Sequence, residues 1–193
     1  LKQAKWYFFC GSFAGDFKLF KKVFDIAKEN NIKIAINPGS LELKFGAKKL
    51  EPLLKQVDIL LMNDEEAATF FGGNMEDEKG LLEKGRKSIK EGGIFVMTKG
   101  PKGVSVHDGC CIYRAGVPKS KVIDRTGAGD SFNSGFVSSI LDGVDMEHAI
   151  QIGTANATSV VSYFGAKKGL LKKNDFGHWK KVKVTIEEFS GLK

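Results

Sequence analysis

Asp124-Arg-Thr-Gly-Ala-Gly-Asp130-Ser131 decides how this sequence is read. Upstream of it, Lys121-Val-Ile-Asp124 has strand character; downstream, Phe132, Phe136 and Ile140 recur at helical spacing through Leu141. A strand, a glycine-rich turn, an acid and a helix start therefore follow one another in the order that phosphoryl transfer needs. Glycines at 127 and 129 can take backbone conformations closed to residues with a Cβ, and the N–H groups of residues 127–130 are expected to form an anion-binding helix N-terminus. An acid at Asp130, in the first turn, is favoured as the carboxylate by the helix dipole and can accept a proton from a substrate hydroxyl. Donors for developing phosphate charge and a base for the nucleophile then sit within one turn of each other. The same residues also make an ordinary helix cap, and the glycines alone do not separate the two readings.

Other nucleotide motifs fit these glycines less well. A dinucleotide fingerprint needs G-x-G-x-x-G, but Phe132 stands at the third glycine position and helical sequence continues through Ile150, leaving no acid-tipped strand. No G-x-x-x-x-G-K-[ST] occurs, which disfavours a P-loop enzyme.

The rest of the chain alternates. Short apolar runs at Trp6–Cys10, Ile32–Ile36, Asp58–Met62 and Ile94–Thr98 are separated by helical patterns at about 16–30, 47–55, 64–71 and 76–91. Such alternation predicts an α/β fold with a mostly parallel sheet flanked by helices and ligands at the carboxyl ends of the strands, where Gly11, Asn37, Asn63 and Lys99 follow. Val104–His107 and Cys110–Arg114 flank Asp108-Gly109, a hairpin signal that puts both cysteines in a strand. Two helices, at about 129–142 and 145–164, and a strand at Val182–Ile186 complete the pattern.

Composition sets the outer limits. At 193 residues, 42% hydrophobic and 27% charged, the chain is expected to form a single globular domain over 1–193. No apolar run approaches the ~20 residues of a membrane span, and the opening Leu-Lys-Gln-Ala-Lys lacks the apolar stretch of a signal peptide, so cytoplasmic residence is expected. Cys10, Cys110, Cys111, His107, His148 and His178 share no metal-ligand spacing and are assigned to packing. The net charge of +7 is spread over presumed helix faces, with clusters only near Lys167-Lys168, Lys172-Lys173 and Lys180–Lys183. That pattern is a solvated surface rather than a nucleic-acid interface.

The string Asp-Arg-Thr-Gly-Ala-Gly-Asp-Ser-Phe, with Gly135 one helical turn after Phe132, resembles the C-terminal signature of the ribokinase-like (PfkB) carbohydrate and nucleoside kinases. The resemblance implies a doubly wound α/β fold, Asp130 as catalytic base, and Gly127, Ala128 and Gly129 as the anion hole for the transferred phosphate. Arg125 stands where Thr is commoner. Asn63-Asp-Glu-Glu66 resembles the family's N-x-x-E motif, which implies Asn63 near the nucleotide phosphates and Glu66 holding Mg2+ through its waters; the same residues spell a capping box. Thr98-Lys-Gly100-Pro-Lys-Gly103 resembles the T-x-G-x-x-G stretch along ATP, although a strand-to-hairpin turn also accounts for its glycines. Counting back from Gly165 puts Thr154 at the adenine-contacting position, with Asn156 the nearby amide. Members that use a monovalent cation such as K+ bind it near the start of the signature, which implicates Asp124 and Thr126; Gly169 stands where a Ser ligand often occurs.

The resemblance covers only the later part of the family's chain. The family's first strands of the sheet, its β lid and the segment that holds the acceptor have no counterpart here; a fragment of a longer kinase is the expectation, because an absent half-sheet would leave apolar edges without cover, a naturally shortened form is the alternative, and a homodimer would form through that lid. The expected activity is ATP-dependent phosphorylation of a sugar hydroxyl. A nucleoside acceptor and a catalytically silent nucleotide-binding module are the alternatives.

Overall fold

Strands β1 (Trp6–Cys10), β2 (Lys33–Asn37) and β3 (Ile59–Asn63) are parallel neighbours, with Trp6 opposite Lys33, Cys10 opposite Asn37, and Ala35 opposite Ile59. They belong to a mixed, mostly parallel seven-stranded sheet that runs in chain order through β4 (Ile94–Thr98), β5 (Val104–His107), β6 (Cys111–Ala115) and β7 (Val184–Glu188). The computed structural model describes residues 2–11, 13, 15–173 and 175–189. Helices are α1 (Phe17–Glu29), α2 (Ser40–Leu43), α3 (Ala47–Leu54), α4 (Asp64–Phe71), α5 (Glu78–Ser88), α6 (Ala128–Leu141) and α7 (Met146–Val161). The chain divides into two compact units, residues 1–97 with 106–112 and 188–193, and residues 98–105 with 113–187.

In the first unit, Ile34, Ala35 and Ile36 of β2 are all buried, as a parallel strand covered on both faces requires. Phe20, Phe24 and Ala27 recur at helical spacing and give α1 one buried face, capped at its start by Asp16 accepting from the N–H groups of Lys18 and Leu19. The rings of Phe13 and Phe24 lie 4.8 Å from that of Phe20, so aromatic packing fills the space over β1 and β2.

Several local expectations differ from the structure. Lys121–Asp124 is not a strand: the N–H groups of Ile123 and Asp124 donate to the Val161 carbonyl at the end of α7, so this backbone has no ladder to join. Cys110 is exposed in the connection between β5 and β6, because the Asp108 carboxylate accepts from the N–H groups of both Cys110 (2.8 Å) and Cys111 (2.7 Å) and widens the turn to three residues. His178 is exposed rather than packed inside. Asn37 and Asn63 end their strands instead of following them, and the last strand begins at Val184 rather than Val182. The short helix α2 was not expected; it carries the buried Glu42, whose carboxylate accepts from Phe13 N–H at 3.0 Å.

Candidate active site

Gly127 is the N-cap of α6 with φ +78°, and a Cβ there would come within 2.8 Å of the Cβ and carbonyl oxygen of Ala166. Only glycine meets both conditions, the left-handed backbone and the close approach. Ala128, Gly129 and Asp130 are therefore the first three helical residues. Ala128 N–H donates back to the Arg125 carbonyl at 3.2 Å, and Ser131 N–H makes the first helical bond, to Gly127. The N–H groups of Gly127, Gly129 and Asp130 have no partner among the described residues, and a Cβ on Gly129 would enter open space. The Asp130 side chain is exposed and makes no hydrogen bond or ion pair among the described residues. An unpaired carboxylate and unpaired backbone donors thus share one helical turn, an arrangement suited to accepting a proton beside a developing anion.

The turn is held by Asp124. Its Oδ1 accepts from Thr126 N–H (2.9 Å) and Thr126 Oγ1 (2.8 Å), and its Oδ2 accepts from Gly165 N–H (2.9 Å). These bonds, from the Thr126 backbone first and then Gly165, lower the Asp124 pKa from its usual 3.8 by favouring the charged form. The carboxylate joins two loops forty-one positions apart in sequence. Asp124 and Thr126 are accordingly brought together, bonded to each other. Gly169 has φ +90°, and a Cβ there would meet the Tyr163 ring at 2.5 Å.

Helices α6 and α7 pack through glycines: a Cβ on Gly135 would lie 3.2 Å from the Gly153 Cα, and one on Gly153 would press on the Phe132 ring at 2.9 Å. Asn156 is 6% exposed and spends both ends of its amide inside the protein, donating to the Ser131 carbonyl (2.7 Å) and accepting from Leu171 N–H (2.9 Å). Thr154, 3% exposed, donates to the Ile150 carbonyl of its own helix at 2.7 Å. Both side chains face inward with partners. The face of α7 that opens to a cavity instead carries Ala157, Thr158 and Val161.

That cavity, of about 310 Å3, is a groove within the second unit, bounded by Gly100-Pro101, Val117-Pro118, Arg125 and the start of α6. Its volume is at the lower end for a small-molecule site, ~300–1,000 Å3. Gly100 (φ +52°) and Gly103 (φ +91°) shape the connection after β4, and a Cβ at Gly103 would run into the Ala115 carbonyl oxygen. Lys99 N–H donates to the Gly103 carbonyl at 2.7 Å, closing this turn, while Thr98 ends β4 at its mouth. Sequence reasoning named Thr98, Gly100 and Gly103 but missed Val117, Pro118, Ala157 and Val161. No local pattern marks these four: Val117-Pro118 reads as loop and Ala157 with Val161 as helix, and only the fold brings them together.

In the first unit, Asn63 and Glu66 form a reciprocal capping box for α4: Asn63 Oδ1 accepts from Glu66 N–H (2.7 Å) and Glu66 Oε2 from Asn63 N–H (2.9 Å). The capping alternative is thus realised. Burial raises the Glu66 pKa above 4.5, offset in part by hydrogen bonds from the Asn63 backbone and the Asn37 side chain. The two residues border a cavity of about 670 Å3 together with Lys44 and Thr69. A carboxylate half-buried beside such a space, with Oε1 not used in the capping box, is a group able to orient a hydrated cation.

Residues 1–173 match the profile of the pfkB family carbohydrate kinases. The chain belongs to this family. It is 31% identical over 155 residues to the ribokinase of Haemophilus influenzae, covering 75% of this chain and 46% of that protein. It is 28% identical over 178 residues to a nucleoside kinase of Methanocaldococcus jannaschii, covering 90% and 53%. Among solved structures, a candidate ribokinase II from E. coli in complex with ATP and Mg2+ superposes with a TM-score of 0.73 at 22% identity, over 89% of this chain and 56% of that one. This pfkB-family chain therefore spans about half the length of the curated relatives it matches.

Proposed function

We propose that the protein phosphorylates a hydroxyl of a sugar, with ATP as donor. The observation that carries this reading is the unpaired Asp130 carboxylate in the same helical turn as the unpaired N–H groups of Gly127 and Gly129. The acceptor oxygen attacks the γ-phosphorus while Asp130 takes its proton; the new O–P bond forms as the bond to the β,γ-bridging oxygen breaks and ADP leaves. The backbone at Gly127, Ala128 and Gly129 surrounds the equatorial oxygens, with Gly129 contributing the open face. Nucleotide enters the groove past Gly100, with Thr98 and Gly103 on the turn that shapes its rim, its base against Val117, Val161 and Ala157, and with Thr154 and Asn156 supporting α7 from behind. Mg2+, when bound, would supply charge neutralisation to phosphate oxygens; in the first unit Glu66, with Oε1 outside the capping box, is the residue to orient it through water, with Asn63 beside it. Asp124 and Thr126 shape the loop at which a monovalent cation such as K+ would act. The names of the relatives, ribokinase and nucleoside kinase, keep a nucleoside as the alternative acceptor.

The test is a coupled ADP-release assay on the full-length protein across ketoses, aldoses, deoxy sugar acids and nucleosides. Turnover that depends on one of these acceptors supports the proposal. ATP hydrolysis indifferent to all of them, or no nucleotide binding, would leave the fold without this activity.

A further inference from the structure

We propose that Arg125 grips the polyphosphate chain of the nucleotide and so acts as a binding residue that the glycine turn and the capping box do not supply. The inference rests on the nucleotide reading above. Arg125 is the one charged side chain among the described residues lining the 310 Å3 groove, whose remaining walls are apolar or small, Pro101, Val117, Val122 and Val161 among them. Its guanidinium makes no hydrogen bond or ion pair among the described residues, and no acid lines the groove to compensate it.

The backbone of Arg125, by contrast, is fixed. Its carbonyl accepts from Ala128 N–H, and its two neighbours are locked to each other by the bonds between Asp124 and Thr126. The side chain therefore starts from a rigid point at the junction of the apolar groove with the unpaired N–H groups of α6. A ligand that fills the groove must satisfy two demands at once, an apolar body for the walls and negative charge for the guanidinium. A nucleoside di- or triphosphate does both. Arginine suits the task better than lysine, because its planar fork pairs with phosphate bidentately while its stem covers apolar wall. Stacking of the guanidinium on the base is the competing arrangement, and it predicts a different dependence on phosphate number.

The full-length protein, as wild type, Arg125→Thr and Arg125→Lys, is titrated by calorimetry with adenosine, AMP, ADP and inorganic tripolyphosphate. We expect Arg125→Thr to weaken ADP and tripolyphosphate ~10- to 100-fold, to leave adenosine unchanged, and to flatten the salt dependence of ADP binding. Arg125→Lys recovers part of the loss. Equal weakening of adenosine and ADP, or ADP binding indifferent to the substitution, would overturn the proposal. Arg125-dependent binding of tripolyphosphate by a wild type that takes neither adenosine nor ADP would sink the nucleotide reading while upholding Arg125 as an anion contact.

Discussion

Two alanine substitutions two residues apart in the glycine turn are expected to have opposite effects on stability, yet both impair phosphoryl transfer. Gly127 has φ +78°, where a side chain costs ~1–2 kcal/mol, and its Cβ would overlap Ala166 at 2.8 Å, an overpacking worth ~1–3 kcal/mol. Gly127→Ala should therefore lose about 2–5 kcal/mol, a fall in melting temperature of roughly 5–15 °C for a protein of this size class. Gly129 lies within α6 and its Cβ would meet nothing within 4 Å, so Gly129→Ala should gain up to ~1 kcal/mol from helix propensity. Side chains in a helix tilt toward its N-terminus, so that methyl enters the space assigned to the transferred phosphoryl group. A displacement of ~1 Å there can cost ~100-fold in rate. Thermal melts beside ADP-release kinetics on the full-length protein read both effects. Gly129→Ala turning over like the wild type would remove the turn from the chemistry, and Gly127→Ala melting like the wild type would refute the packing argument.

Glu66→Gln keeps an oxygen for Asn63 N–H, so it should preserve the capping box while raising the Mg2+ concentration needed for half-maximal activity. Because the folded-state pKa of Glu66 is raised, its contribution to stability is full below 4.5 and lost as pH rises through the folded value. In Mg2+-free melts the glutamine variant should thus gain on the wild type between pH 4 and pH 8, and a constant difference would contradict the burial argument. Asp124 has the opposite sign: its folded pKa is depressed, so its contribution is present above 3.8 and lost as pH falls through the folded value. Asp124→Asn should be destabilising at pH 7 by an amount that shrinks at pH 3 in urea titrations; a pH-independent penalty would count against the carboxylate as the loop tie. Asn156→Ala strands Leu171 N–H, worth ~1–3 kcal/mol when buried and unpaired, while the Ser131 carbonyl keeps Ser134 Oγ; a loss under ~1 kcal/mol would contradict the cross-link.

What the sequence made legible is local. The alternation of apolar runs with helical spacing located the strands because β2, β3 and β4 each carry at least three consecutive buried residues, and Asn63 with Glu66 announced a cap because a capping box joins residues only three apart. The sequence marked Gly127 and Gly129 alike as conformationally free, and only the structure separates the left-handed Gly127 from the helical Gly129. Tertiary bonds were not legible. Nothing near Asp124 shows that its second oxygen reaches Gly165, nothing near Asn156 shows that it ties Ser131 to Leu171, and both pairings turn candidate ligand residues into structural ones as well. Lys121–Asp124 misled because β-branched residues signal strand whether or not a partner strand exists. Its Val122 instead borders a groove that only the fold creates.

In the proposed reaction Asp130 is the group that takes the acceptor's proton. Steady-state ADP release by full-length wild type and Asp130→Asn, with the acceptor that supports turnover, measures that claim. Asn keeps the shape of the exposed side chain, so the melting temperature and ADP affinity should hold while turnover falls at least ~100-fold. An Asp130→Asn protein that turns over acceptor at the wild-type rate would contradict it.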